Sequence, residues 1–148
     1  ARAARWNLDH FAKRCGIAAA MSSTTQTAPL TFDVFWRWLS EHRNCVLRAG
    51  AGDTVLFDHE LGHWEFFDEP DNRAVVQLII GKSLVGEVII ERSDVLFVQV
   101  QPDVEDPNRG SFIFDCIGGP RDDSYPLYHF VLSHSMEGAS GQHAMLKH

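Results

Sequence analysis

Apolar residues recur along this chain with two different periods, and the change of period divides it. From Thr31 onward, Phe32, Phe35, Trp36 and Leu39 fall three and four residues apart, the spacing of one face of an α-helix. Thr31 is placed as an N-cap, Asp33 sits in the first turn where the helix dipole favours an acid, and the pattern predicts a helix to about Arg43. Val34 and Trp38 project to the other side of that helix. A second apolar stripe predicts a helix covered on both sides or one that docks a partner, and it makes Val34 and Trp38 the candidate interface residues.

After the helix the period becomes two. Asn44 to Arg48 predicts a short strand, and Ala74 to Ile80 is a nearly continuous apolar run expected in the middle of a sheet, covered on both faces. Leu84 to Glu91 alternates, with Leu84, Val88 and Ile90 predicted on one face and Glu87 and Glu91 on the other. Val95 to Val100, Ser111 to Cys116 and Leu127 to Leu132 complete the set. The spacers Asp68-Glu-Pro-Asp-Asn72, Gly81-Lys-Ser83 and Arg92-Ser-Asp94 are short and turn-forming, so successive strands are expected to pair antiparallel. The predicted fold class is α+β: one N-terminal amphipathic helix packed on a curled, mainly antiparallel meander sheet of about six to eight strands. Residues 31–136 form the predicted single domain, 1–30 a basic and polar extension, and 137–148 a tail whose composition predicts flexibility.

Composition agrees with one globular domain. The chain has 148 residues, 45% of them hydrophobic and 22% charged, enough to bury a sizeable core. No apolar run approaches the roughly 18 residues of a membrane span. Cys15, Cys45 and Cys116 are odd in number, widely spaced and without a C-x-x-C pair, which predicts free thiols in a reducing, cytoplasmic setting.

Charge changes the picture at the N-terminus. Residues 1–31 carry Arg2, Arg5, Lys13 and Arg14 against Asp9, a net of +3, whereas the remainder nets −10 within a chain total of −7. Three readings of the basic segment stay open: an extension upstream of Met21, a transit-like segment, or a short amphipathic helix packing Trp6, Phe11 and Ile17 on the body. An acidic body argues against a nucleic-acid partner, because binding phosphates requires a basic face. A protein partner, basic in charge, or a homodimer is the predicted alternative.

One stretch spells a chemistry. In His59-Glu60-Leu61-Gly62-His63, a helical backbone would stack His59 and His63 toward one zinc ion and offer Glu60 to the metal-bound water as a general base. Resemblance to the zincin peptidases covers these five residues alone. The metzincin extension fails, since Phe66 and Glu69 stand where Gly and His are required. Glu87 and Glu91 lie at the distance of a third ligand from a second helix, but in a segment that reads as a strand. With eight His and eight Glu in the chain, shuffling produces the motif roughly 2% of the time.

Two backbones compete for this stretch. A helix from Thr54 would carry Phe57, Leu61, Trp64 and Phe67 on one face, with Asp53 as N-cap and Pro70 as stop. A hairpin would pair Thr54 to Asp58 with His63 to Phe67, and it accommodates Gly62, which in a helix interior costs about 1 kcal/mol against Ala. The strand-like surroundings favour the hairpin and two surface imidazoles.

Other chemistry is weaker. Asp103, Glu105, Asp106, Asp122 and Asp123 crowd two loops without the ligand order of an EF-hand and read as solvated loops. Gly50-Ala-Gly52 lacks the third glycine of a dinucleotide loop, where Val55 stands, and reads as a flexible turn. Ser133-His134-Ser135 sets hydroxyls beside an imidazole in sequence, which does not place them together in space. The function expected is a non-enzymatic interaction or self-associating module without a cofactor. Its alternative is a compact zinc metallopeptidase with His59 and His63 as ligands and Glu60 as base.

Overall fold

The computed structural model describes residues 28–106 and 109–136. The expectations for Trp6, Phe11, Cys15, Ile17 and Met21, and for the tail 137–148, lie outside the described residues. The helix, α1, is Phe32–Glu41, and its four predicted inward residues Phe32, Phe35, Trp36 and Leu39 are all buried. Thr31 caps it, its Oγ1 accepting from the Val34 amide at 3.3 Å. The helix stops two residues early because the His42 amide turns back to the Leu39 carbonyl at 3.0 Å and Arg43–Cys45 tightens into a 3₁₀ turn.

Eight strands follow: β1 Val46–Ala51, β2 Thr54–Phe57, β3 Gly62–Asp68, β4 Arg73–Ile80, β5 Ser83–Glu91, β6 Val95–Pro102, β7 Phe112–Gly118 and β8 Tyr125–Leu132. All pairings are antiparallel. They form two sheets and not one curled sheet, a five-stranded sheet in the order β2-β1-β8-β7-β6 and a three-stranded sheet in the order β3-β4-β5. The reason lies in α1, which has two apolar flanks. Phe35 stacks on Phe114 at 5.1 Å and tilts against Phe130 at 5.4 Å, both in the five-stranded sheet, while Trp36 meets Phe66 of the other sheet edge-on at 5.6 Å. The helix and both inner faces thus share one core.

Two sheets require two crossings, and each corrects an expectation. Residues 54 to 68 are strands but not a hairpin: β2 pairs with β1, β3 pairs with β4, and the segment between them passes from one sheet to the other. Trp64, inward on β3, holds this crossing by donating its Nε1–H to the Val46 carbonyl at 3.1 Å and to Asp58 Oδ1 at 3.2 Å. Arg92-Ser-Asp94 is likewise no hairpin turn but a 3₁₀ turn that carries the chain from β5 into β6 of the other sheet.

Two strand assignments shift for local reasons. The predicted strand from Asn44 begins only at Val46, after the 3₁₀ turn. Leu84 does not share a face with Val88 and Ile90, because Leu78 pairs with Gly86 but Ile79 pairs with Leu84, leaving Val85 as a bulge. One extra residue reverses every side chain beyond it. Leu84 is therefore exposed. Gly86 lies inward against β2, where a Cβ would stand 2.6 Å from Leu56 Cδ2.

The second crossing is pinned by one guanidinium. Arg92 bonds Asp33 of α1 at 2.9 Å and also Asp68 at the end of β3, and it lies over the Phe32 and Trp36 rings at 5.4 and 5.8 Å. Asp68 Oδ1 in turn accepts from Trp36 Nε1 at 2.9 Å. Arg92→Met is expected to lower stability by about 2 kcal/mol, because it removes the guanidinium that ties Asp33 and Asp68 together while those carboxylates are themselves largely exposed. Asp68→Asn should cost less than half of that, since an amide oxygen still accepts from Trp36. Urea unfolding of the two variants measures the difference, and equal losses would contradict this role of Arg92.

Candidate interaction surface

The zinc motif does not assemble. Its residues form a turn closed by the Gly62 amide donating to the His59 carbonyl at 2.9 Å, with His59 before the turn and His63 already in β3. His59 Nδ1 accepts from the Leu61 amide at 3.0 Å, and His63 Nε2 lies 3.4 Å from Glu65 Oε1. Both imidazoles are exposed, so the expected pair of surface histidines on a β-turn is found. Neither the helical stacking of His59 over His63 nor the reach of Glu60 to a shared ion exists on this backbone. Glu87 accepts from Gln77 Nε2 at 2.9 Å, on β5. Among the described residues no group of three or more His, Cys, Asp or Glu is placed to hold a metal ion.

The helix pair separates. Val34 is exposed on α1, whereas Trp38 is half-buried within its own chain. The Trp38 ring stacks on His42 at 4.5 Å, tilts on Phe114 at 5.4 Å and meets His134 edge-on at 5.6 Å. His42 Nδ1–H donates to the Trp38 carbonyl at 2.7 Å, so the ring is held where the helix ends. Ser133-His134-Ser135 thus contributes an aromatic contact, with Ser135 buried.

The outer face of the three-stranded sheet carries the larger apolar surface. Register places Phe67, Val75 and Ile89 in one row across β3, β4 and β5. Phe67 and Ile89 are 41% and 39% exposed, and they close over Val75 at 1%. The next row is Glu65, Gln77 and Glu87, and the one beyond it His63, Ile79 and Leu84, with Val85 bulged beside it. Glu91 lies opposite Arg73 at the other end. Two cations at its rim are engaged: Arg43 with Glu65 at 3.4 Å, and Arg73 with Asp71 at 2.7 Å and Glu69 at 3.3 Å. The apolar row thus has carboxylates on both sides.

Electrostatics elsewhere is structural. The Arg73 guanidinium holds the Asp71 carboxyl below its usual range. Burial, with a smaller contribution from the Asp115 charge, pushes the Cys116 thiol well above its usual range. Burial also raises the Tyr128 phenol, whose oxygen accepts from the Glu91 amide at 3.1 Å and ties β8 to β5. A cleft of about 290 Å³ opens beside Thr31, Asp33, Asn72 and Arg92. Its one guanidinium is already paired with Asp33 and Asp68, so it is a by-product of the crossing.

Phe67 and Ile89 were not picked out from the sequence. The usable signal was alternation: Ile89 shares its face with Glu87 and Glu91, and Phe67 alternates with the inward Phe66. Comparison of the chain with protein-family models, with curated proteins and with solved structures finds no match in any of the three. The site therefore rests on its own geometry.

Substitution of His59, Glu60 and His63 by Ala is expected to change stability by less than about 0.5 kcal/mol each, as for other exposed positions. Untagged protein equilibrated with zinc should hold the ion below one per chain, and stoichiometric zinc lost in His63→Ala would overturn this. The thiols give a second expectation. At mildly alkaline pH, half-buried Cys45 should alkylate in the folded protein, and Cys116 only on unfolding, as read by peptide mass mapping. Because the unfolded Cys116 and Tyr128 ionise first as pH rises, their contribution to stability is full below the unfolded pKa values and falls above them. Cys116→Ala should flatten that alkaline loss in urea titrations.

Proposed function

We propose that this chain is a non-enzymatic protein-interaction module whose contact face is the outer surface of the β3-β4-β5 sheet. The observation that carries the reading is the Phe67–Val75–Ile89 row, apolar and partly exposed, between Glu65 and Glu87 on one side and Glu91 on the other. Partly exposed aromatic and aliphatic side chains supply the area of a contact, and the surrounding carboxylates select for a basic partner. Val34 on α1 offers a smaller contact of the same kind. Trp38 is less suited, being packed on Phe114, His42 and His134.

Self-association through the same face is disfavoured by charge, since two copies would oppose Glu65, Glu87 and Glu91 with each other at close range. A peptidase reading has no support, because the backbone at His59 to His63 is a turn. The free Cys45 and Cys116 thiols suit a reducing, cytoplasmic setting. Among the described residues no helix is long and apolar enough to cross a membrane.

The test uses a Lys-rich amphipathic peptide as probe, titrated by fluorescence anisotropy. Binding is expected at low salt, to weaken as salt rises, and to fall at least tenfold in Phe67→Ser/Ile89→Ser and in Glu87→Lys/Glu91→Lys. Circular dichroism should show both variants folded, because the replaced side chains are exposed. Equal affinity for wild type and both variants would overturn the reading.

A further inference from the structure

The two edges of the three-stranded sheet differ. Its outer strands are β3 and β5. The β3 edge is met by α1 and the turn after it, through Trp36 on Phe66 and Asp68 and through Arg43 on Glu65. β5 pairs with β4 alone. Two hydrogen bonds fix which of its backbone groups face away from β4. The Arg73 carbonyl on β4 accepts from the Glu69 amide at 2.8 Å and so turns toward β3, and the Glu91 amide opposite it donates to Tyr128 Oη at 3.1 Å. Bonded and non-bonded pairs alternate along an antiparallel ladder, so Val88 and Ile90 bond to β4 while Glu87, Ile89 and Glu91 direct N–H and C=O to the free side. Among the described residues no backbone group pairs with Glu87 or Ile89 on that side. Both residues are exposed.

The five-stranded sheet supplies a floor beside this edge. Gly86 packs on Leu56, which sets β5 over the inner row Leu56, Ala49 and Phe130, all buried. By register the neighbouring inner row is Thr54, Ala51 and Tyr128, and it lies on the free side of β5, since Tyr128 reaches the outward amide of Glu91. Thr54 is exposed and Ala51 and Tyr128 are half-buried, although all three share the pleat of the core residues. Unpaired backbone groups above an incompletely covered inner row have the form of a strand position without its strand.

We propose that the free edge of β5 receives an additional strand from a partner protein, an extended segment with Lys or Arg two residues to either side of an apolar residue. The proposal rests on the reading of the outer β3-β4-β5 face as a contact for a basic partner, and it specifies the form in which that partner binds. An antiparallel strand added in the β5 register continues the outer rows. Its residue opposite Ile89 extends the apolar row of Phe67, Val75 and Ile89, and those opposite Glu87 and Glu91 meet carboxylates. Charge selects cations at both places. The Glu87 row adds Glu65 and the neutral Gln77, and at Glu91 the guanidinium opposite, Arg73, already serves Asp71 and Glu69. The alternate residues of the segment turn inward onto Ala51 and Tyr128, which suits small apolar side chains. A second copy of this chain fits poorly, because two β5 edges paired antiparallel about Ile89 would set Glu87 against Glu91 twice. The bulge at Val85 confines the pairing to Gly86–Glu91.

The test uses the full chain and the peptide Thr-Lys-Ala-Val-Ala-Lys-Thr, prepared unmodified, N-methylated at Val and both Lys, or N-methylated at the two Ala. In an added strand the Val and Lys amides face β5 and the Ala amides face solvent. Methylation at Val and Lys is expected to weaken binding at least tenfold relative to methylation at Ala, as read by fluorescence anisotropy. Bound unmodified peptide should slow hydrogen exchange of the Glu87 and Ile89 amides at least tenfold and leave Val88 and Ile90 unchanged, as read by NMR. Binding that is weakened in Phe67→Ser/Ile89→Ser, yet tolerates both methylation patterns equally and leaves Glu87 and Ile89 unprotected, would overturn the added strand while the contact face stands. Failure of this peptide to bind where the Lys-rich amphipathic peptide binds has the same meaning. Failure of both peptides would overturn the underlying reading and the added strand together.

Discussion

The architecture depends on the Arg92 guanidinium, because two sheets that share one core must be joined where the chain crosses between them. Arg92 reaches α1 through Asp33, the end of β3 through Asp68, and the rings of Phe32 and Trp36. Trp36 closes the cluster by donating to the same carboxylate. The far crossing has a smaller counterpart in Trp64, which joins β3 to the start of β1. Tyr128 adds a third tie, from β8 to the end of β5. Each tie satisfies a polar group at the margin of an apolar core, where an unmatched group would cost about 1–3 kcal/mol.

That arrangement determines what the two outer faces can do. The three-stranded sheet turns Phe67 and Ile89 outward among carboxylates, with Arg43 and Arg73 paired along the rim. The five-stranded sheet turns outward a run of residues that is buried, with Asp115 at its centre. Both follow from strands that alternate, so that every inward core residue leaves its neighbours on the opposite side.

Much of the local structure was legible in the chain. Thr31 as cap, the four inward residues of α1 and the strands over Ala74 to Ile80, Val95 to Val100, Ser111 to Cys116 and Leu127 to Leu132 follow from capping chemistry and periodicity. The nature of His59 to His63 was also legible, since Gly62 and its β-rich neighbours oppose a helix. Leu84 was misplaced because a bulge depends on the partner strand, and alternation within one strand carries no sign of it. Phe67 was read in a strand, but its outward face was not legible, because Phe66 and Phe67 are equivalent in composition and only the pairing of β3 with β4 decides which faces the core.

By itself the sequence determined the class of each element, the apolar face of the helix, the antiparallel sense of neighbouring strands and the division between a basic segment and an acidic body. These are set by interactions among residues close in the chain or by sums over it. Tertiary structure alone decided that the strands part into two sheets, that residues 54 to 68 cross between them instead of pairing, and which outward rows stay open. The physical reason is that an α-helix with two apolar flanks can be covered by one curled sheet or by two separate ones with the same local pattern. The choice is made by contacts distant in sequence, Phe35 with Phe114 and Phe130, Trp36 with Phe66, and Arg92 with Asp33 and Asp68.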